Sequence, residues 1–558
     1  MAAKIDLEKI ILVVFFTSIL FLGPGTLFDH KIKHDFPFAY FASDAFQHQI
    51  RAEGIKEMGN FRYEAAYISK GLENVVGRYP PALYHIAVII SYASGVETYD
   101  AIYFAVAFFA IMASLVMYFI IREFNKAVAM LSLPLAMIIF SNPVAIGFLW
   151  GHWPSILAQS FMVAFFWSIM RIDLEKSFII IALLLAAIAL THTSELIFAL
   201  IFLALFFGTK ILAKKLSKND TKTVSLSLII FALISFYYLV IFYNTWMSGD
   251  GYSFVVEPVW NGNPGFYIVG FGLLLIPMIF GMLFSLSKLK ELHVSIILAF
   301  AMLLSGFLNY IGFGLRSFQI RFFWPIYLSV FLGFGIYILL KFITKKWNFI
   351  YTSVVFILLI VSFSGIVNFP VLKQTSSQII PYMPHLNRDT SQGIMNQFHW
   401  EALEWLSKNT EKNAEVYFFY GDIYSQDALL RNSKRTHYLI EPEDFVKALQ
   451  ERKIKRDYIT EFPGDSGGGI SYRTSFLGFK SYAETEPDAF YYGPRDICDF
   501  DYYVLDKASG QQVLAQYNLL IAQELLKKDF IKPVFENEVS LILKNNNPGV
   551  DCIEERNF

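Results

Sequence analysis

Asp44 and His48 stand four residues apart in ASDAFQHQIRAEGIKEMG, with Arg51 one turn further on. On a helix that spacing puts a carboxylate and an imidazole on one face, the pairing that general acid–base chemistry needs. Asp35, in KHDFPF, is a second carboxylate close by in the chain. His192 and Glu195 interrupt the apolar run IIIALLLAAIALTHTSELIFALIFLALFF, and at three apart they share a helix face, either as a ligand site or as a polar turn at an interface. Arg316 and Arg321, in GLRSFQIRFFWP, present fixed forks of donors that suit an anion such as phosphate. Together these groups could abstract a proton and hold a departing anion.

GDSGGG, at Gly464 to Gly469, resembles the nucleophile loop of chymotrypsin-like serine proteases. A serine nucleophile also needs a His base and an Asp that orients it, and His437 is the only His after His399. The stretch reads as a glycine-rich turn between strand-like runs.

Composition sets the medium in which any chemistry takes place. The chain has 558 residues, is 55% hydrophobic and 17% charged, and contains 57 Phe and 31 Tyr. Its mean hydropathy is +0.46. That is a membrane composition rather than that of a secreted protease. A net charge of -1 gives no signal for nucleic acid.

Eleven apolar runs approach the length that spans a bilayer, at roughly 9–27, 100–121, 127–146, 154–170, 177–191, 195–209, 223–243, 264–285, 293–313, 322–340 and 347–368. The first reads as a retained anchor, because it lacks a small-residue cleavage site before GPGTLFDH. Lys and Arg fall in alternate connections: Lys4 and Lys9, Arg122 and Lys126, Arg171 and Lys176, Lys210 to Lys222, Lys288 and Lys290, then Lys341 to Lys346. By the positive-inside rule the N-terminus is cytoplasmic and the C-terminus extracytoplasmic in a multi-pass plasma-membrane protein.

Two polar stretches then share the outer face, the loop 28–99 and everything from 370 to 558, leaving 1–369 as the membrane domain. PPALYHIAVIISYASG within the loop is too short to cross and reads as an interfacial or re-entrant helix. After Pro370, EALEWLSKNTEK, EDFVKALQERK and QQVLAQYNLLIAQELLKK read as helices, and AEVYFFYG, DYYVL and SLILK as strands, giving a small α/β domain. Both cysteines, Cys498 and Cys552, lie there, and an even pair on an outer face invites a disulfide.

The order of these parts makes a family resemblance specific. A first helix, an outer loop with Asp-x-x-x-His, a YPP step into an apolar helix, the turn LTHTSE, a late outer Arg before an aromatic and Pro, and a C-terminal outer domain together resemble the GT-C superfamily of polyprenyl-phosphate-dependent glycosyltransferases. Within it the chain is similar to archaeal relatives of the oligosaccharyltransferase catalytic subunit. That family's acceptor-recognition motif, WWDYG, would fall on YFFYG, Tyr417 to Gly421, which lacks both Trp and the Asp. Its second acidic motif would lie near GFLWGHWPS, where His152 stands instead of a carboxylate.

The resemblance implies an inverting transfer from a polyprenyl-phosphate-linked sugar, such as a dolichyl phosphate, to a protein, lipid or glycan acceptor among the membrane lipids. Asp44 would be the base, Arg321 and Arg316 with His192 would meet the donor phosphate, and His48, Asp35, Glu195 and His152 would support them. A divalent cation, Mg or Mn, could share the phosphate's charge, although few carboxylates are offered to hold one. Readings from other classes are a transporter, which the lack of an internal repeat disfavours, and a non-catalytic membrane scaffold.

Overall fold

The computed structural model describes residues 6–27, 31–69, 71, 73–77, 79–140, 144–242, 265, 268, 271–291, 293–311, 323–344, 349–363, 393–461 and 493–558. Arg316, Arg321 and the GDSGGG stretch lie outside them.

Each of the eleven apolar runs carries helix. The first ten helices are α1 (Leu7–Leu27), α2 (Ser43–Met58), α3 (Ala82–Ser94), α4 (Thr98–Phe124), α5 (Lys126–Ser132), α6 (Val144–Leu149), α7 (Trp153–Ile169), α8 (Ser177–Ala189), α9 (Thr193–Leu212) and α10 (Lys218–Phe242). After α5 the backbone tightens into a 3-10 stretch, Leu133–Phe140, where Pro134 cannot donate to an α-helical ladder. Four helices among the described residues are long and apolar enough to cross a membrane: Thr98–Phe124, Thr193–Leu212, Lys218–Ile241 and Gly272–Glu291. Shorter apolar helices, such as Trp153–Ile169 and Ser329–Ile343, complete the bundle.

Basic residues from separate connections meet at one end of that bundle. Glu8, at the start of α1, pairs with Arg122 and Lys126 at 2.5 Å each, and Arg171 pairs with Glu123 at 2.5 Å. Arg122, Lys126 and Arg171, from two successive basic connections, are thus grouped in space with Glu8 and Glu123.

Helix Leu275–Leu286 crosses helix Ser329–Ile343 at backbone contact. A Cβ on Gly335 would lie 1.8 Å from the carbonyl oxygen of Pro277, and one on Gly281 would lie 1.8 Å from that of Phe331. Small residues permit this close packing where the hydrophobic effect gives no drive between helices. Gly335→Leu should therefore cost about 3 kcal/mol, the upper end for overpacking, read as a lower denaturation midpoint of the detergent-solubilised protein.

The C-terminal part is a mixed sheet flanked by helices. Its strands are β1 (Glu415–Phe418), β2 (Thr436–Ile440), β3 (Lys453–Ile454), β4 (Ile459–Glu461), β5 (Gly493–Pro494), β6 (Tyr502–Asp506), β7 (Ile531–Glu536), β8 (Ser540–Asn545) and β9 (Arg556–Asn557). Seven of them form one sheet in the order β5-β4-β2-β1-β6-β8-β7, with β1 parallel to both neighbours. β7 holds the edge, where Pro533 beside a register shift removes no ladder bond that a neighbour would need. Helices Gln397–Asn409, Pro442–Gln450 and Gln512–Leu525 are the three expected from periodicity. Cys498 and Cys552 are joined by a disulfide inside this domain's core, with both residues fully buried.

The stretch between α1 and α4 and this C-terminal part are stitched together. Tyr40 and Gly393 form a parallel bridge, and the Tyr99 and Trp400 rings meet edge to face at 5.7 Å. One apolar core runs without a break from the bundle through Tyr99 to Trp400, Leu403 and Val416.

Candidate active site

Three helix N-termini meet where the sequence placed its chemistry. The α2 N-terminus carries Asp44 in its first turn, exposed. Gly151, with φ +84, closes against it: a Cβ there would lie 2.3 Å from the Ala45 amide nitrogen and 2.8 Å from the Asp44 carbonyl carbon. Only glycine lets the backbone of GFLWGHWPS come this close. His152, the next residue, is the N-cap of α7.

His192 is in turn the N-cap of α9, in extended conformation with φ -160. Its Nδ1 pairs with the fully buried carboxylate of Glu195, whose other oxygen accepts from Ser155 Oγ at 2.5 Å in the first turn of α7. Gln159 continues the chain: its Nε2 donates to the Ser155 carbonyl at 3.3 Å, and its Oε1 accepts from the Phe323 amide at 2.7 Å and from Tyr327 Oη at 3.1 Å. A buried polar relay thus runs from His192 to the backbone two residues beyond Arg321. Sequence reasoning missed Ser155 and Gln159; their spacing of four on an apolar helix was the available signal.

His48, one turn along α2 from Asp44, is buried under the YPP step. Its Nδ1 and Tyr84 Oη lie 2.9 Å apart, and its ring packs edge-on to Tyr79 at 5.7 Å. Arg51 lies under the same lid, its guanidinium 4.4 Å from the centre of the Tyr79 ring and its Nε donating to Glu64 at 3.4 Å. Burial pushes the His48 imidazole well below its usual value of 6.5, and nearby Arg51, His192 and His152 push it the same way. His48 is therefore neutral at physiological pH.

The sign of the linkage follows from that depressed value. The His48 contribution is intact above pH 6.5 and is lost as the pH falls below it, by up to about 1.4 kcal/mol per pH unit while only the unfolded chain takes the proton. Melting of the solubilised protein should fall between pH 6.5 and 5, and His48→Asn should flatten that slope.

The structure brings Asp44, His48, His152, His192 and Glu195 into one neighbourhood. It leaves Asp35 exposed on the loop, beside the buried pair His34 and Asp100, whose Nδ1 and Oδ1 lie 2.7 Å apart. YFFYG does not offer an acceptor surface. Tyr417, Phe418 and Phe419 are fully buried at the centre of the sheet, and Gly421 backs onto Asp506, where a Cβ would lie 2.6 Å from the Asp506 Cβ. Aromatics at that position serve the core because β1 has strands on both sides.

The cation expectation fares differently from the cluster. Among the described residues no three His, Cys, Asp or Glu side chains are placed to hold a metal ion. Of the residues brought together, His48, His152 and His192 carry imidazoles, and the buried Glu195 carboxylate pairs with His192 and Ser155. Mg and Mn prefer oxygen ligands, which the three imidazoles do not offer.

No protein-family model matches the sequence, and no curated protein matches it. Solved structures do. ArnT from Cupriavidus metallidurans in the apo state superposes with a TM-score of 0.56 at 10% identity, covering 96% of this chain and 98% of that one. The Archaeoglobus fulgidus oligosaccharyltransferase AglB, in complex with an inhibitory peptide and a dolichol-phosphate, gives 0.51 at 12% identity over 77% of this chain and 65% of that one. The mycobacterial arabinofuranosyltransferase AftD gives 0.50 at 12% identity over 96% of this chain and 40% of that one. This chain spans about 65% of the length of AglB in that complex. All three are GT-C glycosyltransferases, and the fold of this multi-pass membrane chain is theirs.

Proposed function

We propose that the protein is an inverting GT-C glycosyltransferase, working at the outer membrane face on a sugar carried by a polyprenyl phosphate. The observation that carries this reading is the meeting of the α2, α7 and α9 N-termini around Asp44 within a GT-C fold. Helix N-termini favour negative charge, and the donor's phosphate is an anion that ends the reaction more negative than it began.

In this reading the Asp44 carboxylate accepts the proton of the acceptor group as that group attacks the anomeric carbon from the face opposite the phosphate. The bond from carbon to phosphate oxygen breaks with its electron pair, and the free polyprenyl phosphate leaves. Arg321, with Arg316, is assigned the growing charge, and His192 and His152, at the N-termini of α9 and α7, support it. His48 supports Asp44 through the packing of α2, and the positive charge is assigned to Arg rather than to a cation. The core position of YFFYG favours a lipid or glycan acceptor over sequon recognition in a protein.

The test is transfer of label from radiolabelled polyprenyl monophosphate and diphosphate sugars to membrane acceptors. Transfer from one donor class is expected. Absence of transfer together with absence of donor binding would favour the non-catalytic scaffold.

A further inference from the structure

The geometry points to Lys434 as a positioning residue, through which the C-terminal domain holds the helix that carries Asp44 and His48. This rests on the reading of Asp44 given above. Lys434 Nζ lies 3.0 Å from Glu53 Oε1 and also pairs with Glu57, both on α2. The two carboxylates are themselves fixed, Glu53 by Thr98 Oγ1 at 2.7 Å and Glu57 by Tyr67 Oη at 2.8 Å. Burial alone would raise the Glu53 carboxyl, yet Lys434 and the Thr98 hydroxyl hold it below its usual value.

Lys434 is presented rigidly. It takes the left-handed conformation, φ +53, directly after the turn Arg431–Ser433. Arg435, its neighbour, donates to the Ser407 carbonyl at 2.8 Å, to the Thr410 carbonyl at 2.7 Å and to Thr410 Oγ1 at 2.8 Å, tying the turn to helix Gln397–Asn409. Beside it, a Cβ on Gly71 would lie 2.7 Å from Thr436 Oγ1, so the loop that follows α2 also rests on the start of β2. α2 has no side-chain cap at Ala42 to hold its first turn.

Hydrogen exchange of the Ser43–Met58 amides in the full-length protein tests this without relying on turnover. Lys434→Met should speed exchange there about fivefold, the order expected for a partly exposed ion pair, and should lower kcat while leaving KM for the donor unchanged. Lys434→Arg should restore both. If Lys434→Met does not fold, Glu57→Gln removes one of the two α2 carboxylates that Lys434 meets while leaving Glu53 in place, and should speed the same exchange by a smaller factor; unchanged exchange there would overturn the proposal. Wild-type exchange rates in Lys434→Met would overturn the proposal. Faster exchange in a protein whose wild type transfers nothing would leave the clamp standing and sink the functional reading instead.

Discussion

Asp44→Asn is expected to lower sugar transfer by about 100- to 10,000-fold, the span over which a positioned general base acts. The amide keeps the size of the side chain and its place in the first turn of α2, but cannot take the acceptor's proton. Donor binding should persist, because the helix N-termini and the two Arg residues to which the proposal assigns the phosphate are untouched. Transfer and donor binding measured side by side therefore separate the two roles: near-normal turnover in the mutant would remove Asp44 from the chemistry, whereas loss of both would make it a structural residue. Asp44 is exposed, beside the half-buried His152 and His192 and the buried His48 and Glu195, as a base that must meet a diffusing acceptor should be.

Gly151→Ala should come second in effect. The residue sits at φ +84, where an L side chain is strained by about 1–2 kcal/mol. Its Cβ would also press on backbone, 2.3 Å from the Ala45 nitrogen, and backbone cannot turn aside as a side chain can. The start of α7 must then move away from α2, separating His152 from Asp44; a displacement near 1 Å at a reacting centre can cost about 100-fold. Gly59 supplies the control: it has φ +70 and nothing within 4 Å of its would-be Cβ. Gly59→Ala carries similar strain without the clash, so it should keep transfer close to wild type. Equal losses in the two variants would show that strain alone, and not the contact with α2, explains Gly151.

The sequence named Asp44, His48, His192 and Glu195 from spacing alone, because each pair falls on one turn of a helix. It could not join the two pairs, which stand 144 residues apart between His48 and His192. Gly151 makes that junction, and a glycine in GFLWGHWPS reads as one more turn until the backbone packed against it is known. Ser155, Gln159 and Lys434 stayed hidden for a similar reason. A serine and a glutamine on an apolar helix, or a lysine in a polar stretch, acquire meaning only from partners far along the chain.

Strand prediction divided along the same line. β1, β6 and β8 were legible as apolar runs, whereas β2, in THYLI, and β7, in IKPVFE, carry polar residues and a proline that only their places in the sheet make tolerable. YFFYG shows the reverse. Its resemblance to a recognition motif pointed outward, and two flanking parallel strands turned it into core.

By itself the sequence determined the membrane setting, the run of helices and the composition of the C-terminal domain, since hydropathy and helical period are properties of neighbours in the chain. Only the tertiary structure decided which polar groups share a site and which are spent on packing. Those choices rest on contacts a few ångströms long between residues tens to hundreds of positions apart, and no local pattern encodes them.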